Sequence, residues 1–161
     1  MRGQTIWGLL RLALGWIFLW AFIDKVWGLG FTTKPEGAWL HGGSPTSGFL
    51  QFGTKGPFAE IFKNLAGSGI VDWLFMLGLL FVGVTLILGI FVRLGGYVGV
   101  LILILMYVAG FLPPEHNPFV DEHIVYALIM AGLTVTHAGG YLGFGGAWRN
   151  TNLVRKFPIF E

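Results

Sequence analysis

Residues 73–112 read WLFMLGLLFVGVTLILGIFVRLGGYVGVLILILMYVAGFL, and Arg93 is the single charged side chain in that stretch. A helix needs about 20 mainly apolar residues to cross the hydrocarbon core of a bilayer, so this stretch is long enough for two crossings. Lipid offers no partners for backbone N–H and C=O groups, and each crossing must therefore be helical. With Arg93 as the turn, the stretch predicts antiparallel transmembrane helices at residues 70–92 and 94–112.

Two further apolar stretches extend this pattern to four spans. Residues 6–23 carry one charge, Arg11, which lies close enough to one end for its side chain to reach water. Residues 118–142 are apolar apart from acids in the first turn and a few polar side chains. The sequence therefore predicts an all-α fold in which residues 1–161 form one four-transmembrane-helix bundle. The first stretch has no small-residue cleavage site, which indicates a span rather than a removable signal peptide.

The composition supports a lipid environment. The apolar fraction is 55% and the charged fraction 11%, against roughly 45–50% and 25% in soluble domains. The chain has no cysteine, which excludes disulfides, thiolate metal sites and thiol-relay chemistry within it. The net charge is only +2 and the basic residues form no run, so a nucleic-acid partner is not expected.

Positive charge is unequally distributed about the predicted spans. One side of the membrane receives all the arginines and Lys156, namely Arg2, Arg11, Arg93, Arg149, Arg155 and Lys156. The opposite side mixes lysines with nearly all the acidic residues. The positive-inside rule then predicts a multi-pass protein of the cytoplasmic membrane, with both termini and the tail of residues 143–161 in the cytoplasm.

The outer loop of residues 24–69 is longer than an ordinary connection. Residues 57–66 predict a short helix within it, because proline stands at the first position and Gly67 follows the last. Its apolar face would lie in the outer membrane interface, with Glu60 and Lys63 toward water.

The stretch GGSPTSG at residues 42–48 is rich in hydroxyls and small residues. Ser44, Thr46 and the neighbouring backbone N–H groups are candidate donors for a small anion that arrives from outside. The alternative is an ordinary turn-rich loop, which the composition favours.

Charged groups at membrane depth are costly, so each is a functional hypothesis. At the outer membrane surface Asp24, Lys25 and Asp72 form the candidate cluster. Arg11 lies near the cytoplasmic end and is predicted to anchor in the interface or to pair with a neighbouring span.

The beginning of the fourth span holds a second group of candidate residues, which comprises His116, Asp121, His123 and Tyr126. His123 and Tyr126 start a polar stripe along the helix, which should face the bundle interior. Such a stripe can hydrogen-bond a quinone head group or pass protons, although hydrogen bonding between helices is the alternative. The spacing of the histidines and acids fits no strong metal pattern, so neither a metal nor a haem is expected in this chain alone.

Three stretches resemble the DoxX/DoxD-like membrane proteins: LRLALGWIFLWAFIDK at residues 10–25, GSPTSGFL at residues 43–50 and PPEHNPF at residues 113–119. The resemblance covers nearly the whole chain and implies the same four spans. DoxD is a membrane subunit of thiosulfate:quinone oxidoreductase, which oxidises thiosulfate to tetrathionate and passes electrons to quinone together with the subunit DoxA. The resemblance implies that Lys25 and the hydroxyl loop would meet the anion, and that the outer helix ends would hold quinone.

Two functions compete at this point. The chain is either an oxidoreductase subunit that couples a sulfur donor to membrane quinone, or a non-catalytic accessory subunit that packs against a larger respiratory complex. Both imply other membrane subunits as partners and no cofactor held by this chain alone, while self-association is left open. A small transporter is the weaker third class, since no inverted repeat is evident.

Overall fold

The computed structural model of the chain describes residues 2–161. It is 70% helix, and the described residues contain no strand. The α-helices in these residues are α1 (Arg2–Trp27), α2 (Ala59–Lys63), α3 (Gly69–Leu88), α4 (Val92–Gly110), α5 (Glu122–Val135), α6 (Gly145–Arg149) and α7 (Asn152–Lys156). The predicted all-α fold class is thus confirmed.

Helices α1, α3 and α4 are each long and apolar enough to cross a membrane. Their candidate spans are Gly3–Trp27, Gly69–Leu88 and Val92–Gly110, with mean hydropathies of 1.9, 2.3 and 2.0. α3 ends earlier than predicted because Gly89 adopts the left-handed conformation and its N–H bonds to the Thr85 carbonyl, a common helix stop. These three helices indicate a multi-pass membrane protein in a lipid bilayer.

The fourth predicted span, residues 118–142, is helical only in its middle. α5 has 14 residues, or about 21 Å, against about 30 Å for the hydrocarbon core. Asp121 precedes its first turn, and its carboxylate accepts a hydrogen bond from Ile124 N at 3.2 Å. Beyond the last turn, His137 takes a left-handed backbone with φ 51°. The prediction of a fourth full-length transmembrane helix is therefore not confirmed.

Helices α1, α3, α4 and α5 pack side by side, each antiparallel to its neighbours. Glycines allow the closest approaches: a Cβ at Gly83 of α3 would lie 2.7 Å from Leu19 N of α1. On α4, a Cβ at Gly99 would lie 2.6 Å from Met130 Cε of α5. Small residues at such positions permit close helix packing in a membrane. Fully buried side chains fill the space between the helices, among them Met76, Val82, Leu86, Met130 and Leu133.

The two ends of this bundle differ in chemistry. At one end of the bundle α1 and α4 end and the connecting residues 28–68 and 111–121 lie; we call this the loop end. At the opposite end α3 finishes and α4 begins; this end holds Arg11, Arg93 and Arg149, and we call it the arginine end.

The short helix predicted at residues 57–66 is α2, which is only five residues long. Turns continue from it to Gly67, whose φ of +80° ends the segment as glycine permits. Glu60 and Lys63 form an exposed ion pair at 3.0 Å, while Ile61 is 62% exposed. The charged and apolar side chains named here are all exposed, and the position of α2 in the membrane interface stays a prediction.

Candidate functional site

Asp24 organises the beginning of the long loop. Its carboxylate is fully buried at the loop end of α1. It accepts hydrogen bonds from the backbone N–H groups of Phe31, Thr32 and Thr33 at 3.2, 2.8 and 2.9 Å, and from Thr32 Oγ1 at 2.7 Å. Lys25 Nζ donates to the same Thr32 hydroxyl at 3.3 Å. Asp24 therefore acts as an acceptor that folds residues 31–33 back onto the helix.

Asp72 accepts hydrogen bonds from the hydroxyl-rich stretch of residues 42–48 and holds it against α3. It lies in the first turn of α3 and is 8% exposed. Its Oδ1 accepts from Ser44 Oγ at 2.9 Å, Thr46 Oγ1 at 2.6 Å and Thr46 N at 3.2 Å. The Ser44 and Thr46 hydroxyls, which the sequence suggests as donors to an external anion, thus donate to the Asp72 carboxylate of the same chain. Of the two interpretations of residues 42–48, this geometry favours the turn-rich loop.

Asp121 and His123 form an acid–imidazole pair at the loop end. His123 Nδ1 and Asp121 Oδ2 are 2.7 Å apart, and the two side chains are only 11% and 7% exposed. The ring of Phe111 lies 4.4 Å from the imidazole, centroid to centroid. A carboxylate on Nδ1 fixes the orientation and tautomer of the imidazole, which leaves Nε2 for another hydrogen-bonding group.

The same segment brings together three residues whose side chains can bind a metal ion. Ligand atoms of Asp121, Glu122 and His123 all lie within 4.8 Å of one another. Glu122 is exposed, however, and both oxygens of Asp121 already accept hydrogen bonds from Ile124 N and His123. The geometry describes a helix cap joined to an imidazole.

The remaining predicted residues lie apart from these groups. His116 is exposed in the turn between α4 and α5. The neighbouring Glu115 bonds to Lys55 at 3.0 Å, and this hydrogen bond, with the charges of Lys55 and His116, lowers the pKa of Glu115. Tyr126 lies one turn beyond His123 and packs against the core. The nine candidate residues thus fall into separate groups around Asp24, Asp72 and Asp121, with His116 and Tyr126 outside their hydrogen bonds.

Arg11 is fully buried and bonds to backbone carbonyls of a neighbouring helix and a loop. Its guanidinium donates to the carbonyls of Leu86 and Ile87 in α3, and to those of Tyr141 and Leu142 at 3.0 and 2.9 Å. Of the two predicted roles, contact with a neighbouring span is therefore the one observed. Leu86 and Ile87 lie in the last turn of α3, where backbone carbonyls have no N–H partner within the helix.

A second polar cluster at the arginine end is absent from the sequence prediction. The carboxylate of Glu161 contacts Arg93, His137 and Arg149 at 3.6, 2.9 and 2.9 Å. These four residues come from distant parts of the chain, so sequence spacing carries no signal for the cluster. The one hint is the concentration of arginine on this side.

Comparisons of the chain with protein-family models, with curated proteins and with solved structures found no match.

Proposed function

We propose that this chain is the membrane subunit of a quinone-linked redox system, and that His123, Asp121 and Phe111 hold the quinone head group. The supporting observation is the acid–imidazole pair, little exposed, beside an aromatic ring at one end of an apolar bundle. A quinone is an apolar ring with carbonyl acceptors. It needs a hydrogen-bond donor, a flat apolar contact and access from lipid.

The residues fit this ligand class in their chemistry. With both ring nitrogens protonated, His123 Nε2 would donate to a quinone carbonyl while Nδ1 donates to Asp121, and the Phe111 ring would pack against the quinone ring. A bound quinone supplies a two-electron acceptor. The pair can hold a proton between Nδ1 and the carboxylate, near the carbonyl where protons are taken up on reduction.

The electron donor belongs to another subunit in this proposal. The resemblance to DoxX/DoxD-like proteins makes thiosulfate the first donor to test. Ser44 and Thr46 are occupied by Asp72, and the chain has no cysteine. We therefore propose that the sulfur anion meets a partner subunit, rather than the hydroxyl loop as the resemblance implies.

We also propose the orientation and the fourth crossing. Irregular backbone at membrane depth is tolerated where it is buried in protein or lines a water-filled cavity. Residues 118–121 and 136–142 could thereby complete the crossing that α5 begins. The arginine side would then face the cytoplasm of the cell, and the loop end the outside.

A non-catalytic accessory subunit is the second candidate. The observation that favours it is the apolar surface of the long loop, where Phe52, Phe31 and Ile61 are 86%, 72% and 62% exposed. Such a surface suits contact with lipid or with a larger membrane complex. In that case His123 and Asp121 would only position α5.

The test is quinone binding and reduction by the purified protein in lipid nanodiscs, with thiosulfate as donor, with and without co-purifying subunits. His123→Asn should weaken quinone binding about tenfold, since one good hydrogen bond is worth about 1.4 kcal/mol. His116→Asn is the matched control, because His116 is exposed and outside the pair. Equal quinone affinity in the two variants would overturn the proposed site. Stable co-purification with no turnover would favour the accessory role.

A further inference from the structure

Glu161 at the arginine end is surrounded by basic side chains from three parts of the chain. Arg149 Nε of α6 lies 2.9 Å from Oε1, while His137 Nδ1 and Arg93 Nη2 of α4 lie 2.9 and 3.6 Å from Oε2. The Glu161 side chain is 17% exposed. Two guanidinium groups and an imidazole therefore surround the side-chain carboxylate of Glu161.

The segment that carries Glu161 is attached to the bundle by a few contacts. Trp148 Nε1 donates to the Phe160 carbonyl at 2.6 Å, and Arg93 donates through N to the Glu161 carbonyl at 3.1 Å and through Nη1 to that of Pro158 at 3.2 Å. The Phe91 ring packs against the rings of both Trp148 and Phe160. Residues 157–161 thus form a short segment that lies across these basic side chains.

The space beside the carboxylate is bordered mainly by glycine. A small cavity of about 10 Å³, room for about one water molecule, is lined by Arg93, His137, Arg149 and Glu161 together with Gly89, Gly139, Gly140 and Gly145. Because these four residues are glycines, their backbone borders the cavity and no side chain of theirs fills it. If the Glu161 carboxylate moved away, its own volume would be added to the cavity.

We propose that Arg93, His137 and Arg149 form an oxyanion-binding site, and that Glu161 fills it as an internal ligand. The site takes a phosphate-class anion, since guanidinium groups bind phosphate oxygens through strong charge-assisted hydrogen bonds. The anion is either free phosphate or the phosphate head group of an anionic lipid, because the site lies at an end of the membrane bundle.

The experiment compares the wild-type chain with Glu161→Gln, which keeps the shape of the side chain and removes its charge. Isothermal titration with inorganic phosphate should show at least about tenfold tighter binding in the variant, because the internal competitor is weakened. Arg149→Gln in the Glu161→Gln background should lose that gain. Glu60→Gln is the matched control, since Glu60 forms an exposed ion pair on the other end of the molecule.

A second set of measurements distinguishes the two sources of the anion. Native mass spectrometry after reconstitution with phosphatidylglycerol or phosphatidylcholine should show phosphatidylglycerol retained by Glu161→Gln if the ligand is a lipid head group. Phosphate binding without lipid retention identifies the free anion. If Glu161→Gln binds neither ligand better than the wild type and Glu60→Gln do, the proposal is overturned and Glu161 is only an ion-pair partner.

A third measurement uses the wild-type chain alone, in case Glu161→Gln does not fold. Added phosphate should accelerate hydrogen exchange at the Arg93 amide, which bonds to Glu161 in this structure. Unchanged exchange at saturating phosphate would overturn the proposal as well.

Discussion

The two ends of the bundle satisfy buried charge in opposite ways. At the loop end the charges are negative: Asp24 and Asp72 accept hydrogen bonds from N–H groups and hydroxyls of the long loop. At the arginine end the deeply buried charge is positive, and Arg11 donates to carbonyls of α3 and of the loop at residues 141–142. A buried charge is costly unless it is paired or hydrogen-bonded. At both ends the buried charge is stabilised by hydrogen bonds to polar groups of loops or of helix ends, rather than by an ion pair with an opposite charge.

The buried charges therefore hold different parts of the chain at the two ends. The carboxylates hold a long loop against helices that would form without it. Arg11 holds helix ends together, so its loss should affect the bundle itself.

Arg11→Lys should destabilise the protein most, by about 3–5 kcal/mol, since hydrogen bonds to charged groups are worth about 1.5–3 kcal/mol each and at least two would be lost. A single ammonium cannot reach both the end of α3 and residues 141–142 as the planar guanidinium does. Thermal denaturation in detergent measures the effect. Arg155→Lys on exposed α7 is the control, and equal melting temperatures for the two variants would contradict the role assigned to Arg11.

Asp24→Asn should cost about 2–3 kcal/mol, because the amide NH₂ would face donors that now bond to a carboxylate oxygen. Hydrogen exchange should rise at the amides of Phe31, Thr32 and Thr33, whereas α3 and α4 stay protected. Glu36→Gln in the same loop is exposed and serves as the control. Uniform loss of protection across the bundle would mean that Asp24 stabilises more than the loop.

Asp72→Asn should have a smaller effect, about 1–2 kcal/mol, since three bonds to one oxygen are involved rather than four to two. Limited proteolysis should cut residues 42–48 faster than in the wild-type chain. Ser44→Ala should show part of the same acceleration. If Asp72→Asn resists protease as the wild type does, the loop is held by other contacts.

Glu115→Gln should have the smallest effect, because the pair with Lys55 is exposed. The pKa of Glu115 is lowered by Lys55 in the folded chain. Its contribution is therefore present above the unfolded pKa of about 4.3 and is lost as pH falls through the folded pKa. Melting temperatures of variant and wild type should converge as the pH falls through the lowered pKa of Glu115 in the folded chain. A difference that grows on acidification would contradict this sign.

The sequence indicates some of the polar groups that the structure buries and gives no sign of others. Asp24, Asp72 and His123 stand out as charged or polar groups in apolar surroundings, and all three are buried or nearly so. The partner of Ser44 and Thr46 could not be predicted, since Asp72 is 28 and 26 residues away from them. The cluster around Glu161 combines residues up to 68 positions apart, and no local pattern indicates it.

The helical fold class and three spans long enough to cross a bilayer follow from the sequence alone, because length and apolar composition are local properties that decide whether a segment prefers lipid. The extent of α5, the hydrogen bonds of Asp72 and Arg11, and the position of Glu161 follow only from the folded structure. Those features depend on which backbone ends and side chains meet when the helices pack. Such meetings are long-range, and their energies come from hydrogen bonds and charges that have no partners within the same segment.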